Sequence, residues 1–133
     1  IRGAIGAGAR LESVPGPSAL LAALTTSGLP TDRFLFEGFL PPKKGRNKRL
    51  NQIKDVDATI IYSESANRLK RTLIQLHELF GDRPAVVARE LTKMYEEVKR
   101  GTLLKLISYY SENKAKGECV ILIGKNDKNV YFE

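Results

Sequence analysis

Apolar residues along this chain fall into one helical stripe and several short continuous runs. Leu69, Leu73, Leu76 and Phe80 recur every three or four residues while Arg71, Gln75 and Glu78 take the opposite face, which predicts an amphipathic helix closed by Gly81. On either side, TIIY at 59–62 and AVVAR at 85–89 are too short for helices and rich in β-branched residues, so both predict buried strands. Strand, helix and strand then predict a right-handed crossover unit with the two strands paired in parallel. RFLFEGFL at 33–40 sets Phe34, Phe36 and Leu40 against Leu35 and Phe39, a strand with both faces covered that Pro41 and Pro42 stop. Toward the end, Thr102 caps a helix over LLKLISYYSENK, MYEEVK at 94–99 is strand or loop, and CVILIG at 119–124 is the final strand.

The remaining segments are punctuated by turn formers. Residues 1–9 are small without a clear apolar face, and LESVPGP runs from a short strand into a Pro/Gly turn that marks a domain boundary. Ser18 is placed to cap a helix over ALLAALTTSG, which Gly28 and Pro30 end. KKGRNKRLNQIK at 43–54 has a helical tail anchored only by Leu50 and Ile53, with a loop at its front. The pattern predicts an α/β fold, a mixed sheet of about five strands flanked by helices. Its divisions are 1–14 as the end of a preceding domain and linker, 15–124 as the domain itself and 125–133 as a polar tail.

Composition narrows the function classes. With 42% hydrophobic and 28% charged residues the chain can bury a core, which argues against disorder. No apolar run approaches the length of a bilayer-spanning helix. A single cysteine, Cys119, excludes an internal disulfide, and a single histidine, His77, leaves no Cys/His zinc cluster; a reducing, cytoplasmic setting is the expectation. Cys119 at a strand start reads as a small core residue and His77 as a helix residue far from any catalytic triad. The charge of +7, from 22 Lys and Arg against 15 Asp and Glu, fits either a polyanion partner or a solvated basic surface. Its densest part is Lys43, Lys44, Arg46, Lys48 and Arg49, a cluster suited to neutralising phosphates.

Three loops could carry chemistry. RELTK at 89–93 and SESANR at 63–68 each follow a buried strand, and the carboxyl ends of strands are where open α/β sheets bind ligands. Each also has a plain structural reading, ion pairs of Arg89, Glu90 and Lys93 in the first and a Ser65 helix cap in the second. PGPSA at 15–19 holds backbone before a helix, either as an anion contact or as a turn and cap. It lacks the glycine spacing and Lys-Ser/Thr ending of a P-loop.

PGPSALLAAL, SGLPTDRFLFEGFLPPKKGR, ESANRLKRTL, FGDRPAVVARELTKMYEEVKRGTL and KGECVILIG occur in this order and resemble the RsmI-type 16S ribosomal RNA (cytidine-2′-O)-methyltransferases of the tetrapyrrole methylase superfamily. The resemblance covers about 11–124 and implies the second of two α/β domains that hold S-adenosylmethionine in the cleft between them, usually as a homodimer. It implies an S-adenosylmethionine-dependent activity on a ribose 2′-hydroxyl of 16S ribosomal RNA, and little activity from this domain by itself. Ser18, Ala19, Ser63, Glu64, Glu118 and Cys119 would line the cofactor side. Arg68, Arg89, Thr92 and Lys93 would face RNA beside the basic run, with Glu90 orienting the ribose or acting as base. Ser63 stands where the family commonly has tyrosine, and Ala66-Asn67 where it has Pro-His, so any role of that histidine is absent. A small-molecule methylase of the tetrapyrrole type and a non-catalytic RNA-binding module are the alternatives; the flexible cationic run favours RNA over the former.

Overall fold

The computed structural model describes residues 23–41, 43–89 and 97–125. In chain order the elements are β1 (Phe34–Gly38), α1 (Lys43–Ile53), β2 (Thr59–Ser65), α2 (Ala66–Phe80), β3 (Pro84–Arg89), β4 (Glu97–Thr102), α3 (Leu103–Glu112) and β5 (Glu118–Ile123), preceded by a helical segment at 23–27. The strands form one mixed five-stranded sheet in the order β1-β2-β5-β3-β4, the α/β architecture expected. The proposed boundary at 14 and the tail from 126 lie outside the described residues.

The expected direct pairing of TIIY with AVVAR does not occur. β2 and β3 do run in the same direction, but β5 lies between them and is antiparallel to both. Burial explains the insertion: Ile121, Leu122 and Ile123 are all fully buried, and a strand apolar on both faces belongs at the sheet centre. β2 finds its parallel partner in β1, with Phe34 opposite Thr59 and Phe36 opposite Ile61.

The sheet separates two cores. Ile60, Tyr62, Val87, Ile121 and Ile123 face a layer made by α1, α2 and α3, which contribute Leu50, Ile53, Leu69, Leu73, Leu76, Leu103 and Leu106. On the other face Ile61, Val86, Ala88 and Leu122 pack against Ala23, Leu24 and Leu29. Arg100 of β4 ties that second layer down by donating to the carbonyls of Ser27, at 3.0 Å, and Thr26.

One local expectation changes. β1 is not covered on both faces: it is an edge strand, Leu35 and Leu40 pack on the core, and Phe34, Phe36 and Phe39 are 42%, 49% and 63% exposed. The front of the basic run is irregular as expected: Lys44 and Gly45 are non-helical, with ψ 115° and φ 94°, so regular helix in α1 begins after Gly45, and only glycine takes that second geometry at little cost. Gly81 ends α2 as expected, with φ 81° and its N–H donating to the His77 carbonyl at 2.9 Å. Thr102 caps α3 by accepting from the Lys105 amide at 3.3 Å. Ser65 occupies the cap position of α2 but its side chain makes no cap bond.

Tyr62 is fully buried, and its hydroxyl has no hydrogen-bond partner among the described residues. Burial, and then the charge of Glu37, push that hydroxyl's pKa well up. Tyr62→Phe should therefore stabilise the fold by about 1 kcal/mol, since an unsatisfied buried hydroxyl costs on that order. A raised native pKa also means that ionisation favours the unfolded chain, so stability should fall as pH rises above about 10, and less steeply in the variant. Urea unfolding across pH measures both; a less stable Tyr62→Phe protein would show that the hydroxyl has a partner.

Candidate functional site

Strand direction gathers the candidate residues on one edge of the sheet. β1, β2 and β3 end there, β4 and β5 start there, and the helices that follow β1 and β2 begin there while α3 returns to it. Residues from 38–46, 63–70, 89, 97 and 112–119 thus share an edge although the chain separates them widely. Loops at the carboxyl ends of strands are where such sheets form crevices.

The expected cofactor residues meet here by register: Glu64 lies opposite Cys119, Ser65 opposite Glu118 and Ser63 opposite Val120. Alternation then divides them between the two faces. Ser63 follows Ile61 on the face of the second core and is half-buried, with exposed Glu118 at the strand start. Glu64 and Cys119 point the other way, toward α2 and α3, and both are buried. The Glu64 carboxylate is fully occupied, accepting from the Ser65 amide at 2.8 Å and from the Thr72 hydroxyl at 2.8 Å. Its geometry is that of a brace between β2 and α2. Ser18 and Ala19 lie outside the described residues.

At the end of β3 the structure places a cluster that no sequence pattern announced. Arg89 faces Glu97 across the β3–β4 pair, Nε to Oε1 at 3.5 Å, and also donates to the Lys116 carbonyl at 3.3 Å. Tyr109 and Tyr110 donate to the two Glu97 oxygens at 3.2 Å each, and Lys99 lies 4.3 Å over the Tyr109 ring. Burial, then the Glu97 charge, raise the Tyr110 pKa. Arg89 is thus occupied by protein contacts, with only 16% of its side chain exposed. Arg89 and Glu97 meet because residues directly opposite on paired strands share a face. Glu90, Thr92 and Lys93 lie outside the described residues.

The basic run divides as well. Arg49 grips Glu37 with two bonds, Nε to Oε1 at 2.6 Å and Nη2 to Oε2 at 2.7 Å, and Arg46 donates to the Pro41 carbonyl at 2.9 Å. These two arginines fasten α1 to β1. Lys44, in the kink, and Lys48, in the regular part of α1, are exposed, and Arg68 is exposed near the start of α2. No cluster of His, Cys, Asp and Glu among the described residues is arranged to hold a metal ion, and His77 is half-buried in α2. None of the described helices is long and apolar enough to cross a membrane.

Known proteins resemble this chain in sequence and in fold. The chain is 47% identical over 117 residues to ribosomal RNA small subunit methyltransferase I of Rickettsia prowazekii, covering 87% of this chain and 42% of that protein. Proteins of the same name from Mesorhizobium japonicum and Thermotoga maritima are 51% and 43% identical, over 91% and 89% of this chain and 42% and 54% of theirs. The chain spans about half the length of the curated relatives it matches. Among solved structures, the cobalt precorrin-4 methyltransferase CbiF superposes with a TM-score of 0.61 at 20% identity, covering 86% of this chain and 50% of that one. The methyltransferase CobJ does so with a TM-score of 0.61 at 24% identity, covering 90% and 53%. These two likenesses establish the fold. Residues 3–107 match the family described as tetrapyrrole (corrin/porphyrin) methylases, and with the mixed sheet and its shared edge this shows that the chain belongs to that family.

Proposed function

We propose that this chain is the second domain of a methyltransferase that uses S-adenosylmethionine to methylate a ribose 2′-hydroxyl of 16S ribosomal RNA. The observation that carries the reading is the identity of 43–51% to proteins named ribosomal RNA small subunit methyltransferase I, sustained over most of the chain. Residues 15–124 form the domain in this reading, 1–14 join it to a preceding one and 125–133 are a tail. The working unit is a homodimer in the cytoplasm.

The chemistry at the Ser63 side of the edge suits the cofactor. A half-buried hydroxyl, the half-buried apolar Val120 and the exposed Glu118 carboxylate offer a hydrogen-bond partner, a contact for an apolar ring and an acceptor for hydroxyl or ammonium groups. Ser18 and Ala19 would approach from the linker. Bound there, the cofactor supplies an activated methyl group. The protein's task is to align the ribose O2′ with it and to receive the hydroxyl proton, and Glu90, the residue after β3, is assigned that role. Lys44, Lys48 and Arg68, with Lys43, Thr92 and Lys93, would hold RNA phosphates across the same edge.

The test is to supply the whole protein with methyl-labelled S-adenosylmethionine and small ribosomal subunits that lack the modification, then digest the RNA to nucleosides. A 2′-O-methylated nucleoside is the expected product. Calorimetry should show cofactor binding by the whole protein and little by this chain alone. Label in a corrin or porphyrin substrate instead of RNA would overturn the reading in favour of a small-molecule methylase, and RNA binding without any transfer would favour a binding module.

A further inference from the structure

Between the start of α2 and the end of α3 lies an open hollow of about 450 Å³. Ala66, Asn67, Leu69 and Lys70 form one wall, Tyr110 and Ser111 the second, and Lys114, Ala115 and Lys116 the rim before β5. Three ammonium groups line it, with no carboxylate among the lining residues. The hydroxyl of Tyr110 is turned to Glu97 and that of Ser111 donates to the Ile107 carbonyl at 2.7 Å, so the donors left to the hollow are Asn67 and the lysines.

The position is as telling as the charge. The lining is contiguous with the candidate edge: Ala66 donates its amide to the Gly117 carbonyl at 2.9 Å, and the Lys116 carbonyl accepts from Arg89. Arg68, exposed, precedes Lys70 on α2. A cationic concavity beside the strand ends presents what a bent phosphodiester chain needs: positive charge that follows the backbone, and a neutral hydrogen-bond donor from the Asn67 amide.

We propose that Lys70, Lys114 and Lys116 hold phosphodiester groups of the RNA strand next to the nucleotide being modified. This rests on the RNA reading above and extends it to three lysines outside the basic run and outside the residues expected to face RNA. The lysines come from two segments, Lys70 from α2 and Lys114 and Lys116 from the stretch between α3 and β5, which converge only through the α2–α3 packing. The contact would therefore fix where the strand leaves the strand-end crevice, whereas Lys44 and Lys48 on α1 hold a different part.

The test is binding of a fluorescently labelled single-stranded RNA to this chain across a salt series. Lys70→Gln/Lys114→Gln/Lys116→Gln should weaken binding roughly tenfold at moderate salt and reduce the slope of log affinity against log salt by about 2, from about 0.7 per lost phosphate contact. All three side chains are exposed, so the variant should remain folded, within about 0.5 kcal/mol per site. Independently, acetylation of the unaltered chain followed by mass spectrometry should show Lys70, Lys114 and Lys116 protected by RNA, with Lys105 at the opposite edge unprotected. If the triple variant keeps affinity and slope while Lys44→Gln/Lys48→Gln loses both, the hollow is a solvated surface and the RNA reading stands. A chain that binds no RNA even at low salt would overturn the hollow and undercut the RNA reading with it.

Discussion

Replacing Glu97 with alanine is expected to cost about 3 kcal/mol of folding stability, far more than its place at the start of a strand suggests. Its two oxygens are the acceptors for Tyr109 and Tyr110 and the counter-charge for Arg89, whose side chain is 16% exposed. Alanine would leave a largely buried guanidinium without its carboxylate and two phenols without acceptors. Breaking one side of a buried ion pair costs roughly 3–5 kcal/mol, and the 27% exposure of Glu97 lowers the figure toward the bottom of that range. Glu97→Gln keeps one acceptor oxygen and removes the charge, so about half the loss should remain. Urea unfolding should show a lower midpoint with an unchanged slope, because the change removes interactions without altering the surface exposed on unfolding. A loss under about 1 kcal/mol would mean that water replaces the carboxylate and that the cluster does not hold β3, β4 and α3 together.

That cluster marks the limit of what local pattern reveals. α2 was legible because four apolar residues at helical spacing and a closing glycine all specify the same element, and they are the residues that bury against the sheet. β5 was legible as a strand but not as the central one: its apolar run says that both faces are covered, not which strands flank it, and β2 and β3 were expected to pair with each other. For β1 the same signal misled, because aromatic residues favour strands whether or not their rings are buried. Among site residues, strand-end placement was readable for Ser63, Glu64, Arg68 and Arg89, yet the face each occupies depends on register and on alternation counted from the core. Glu64 and Ser63 are adjacent and point apart. Lys70, Lys114 and Lys116 form no run, and Glu97 lies 12 and 13 residues from the tyrosines it binds, so only packing brings them together.

Under the function proposed above, Glu90→Gln in the whole protein is expected to lower the turnover of RNA methylation by about a hundredfold, the low end of what a positioned general base contributes. Glu90 directly follows Arg89, the last residue of β3, whose side chain is fixed by Glu97 and by the Lys116 carbonyl; the strand end that leads to Glu90 is therefore held from two sides. Glutamine preserves size and one acceptor oxygen while removing the basic site, so a residue that receives the O2′ proton should lose kcat with little change in KM for RNA. Affinity for S-adenosylmethionine and the urea midpoint should stay near those of the unaltered protein. A rise in KM with kcat intact would make Glu90 a residue that orients RNA, and unchanged kinetics would return it to a solvent-facing ion pair at the end of β3.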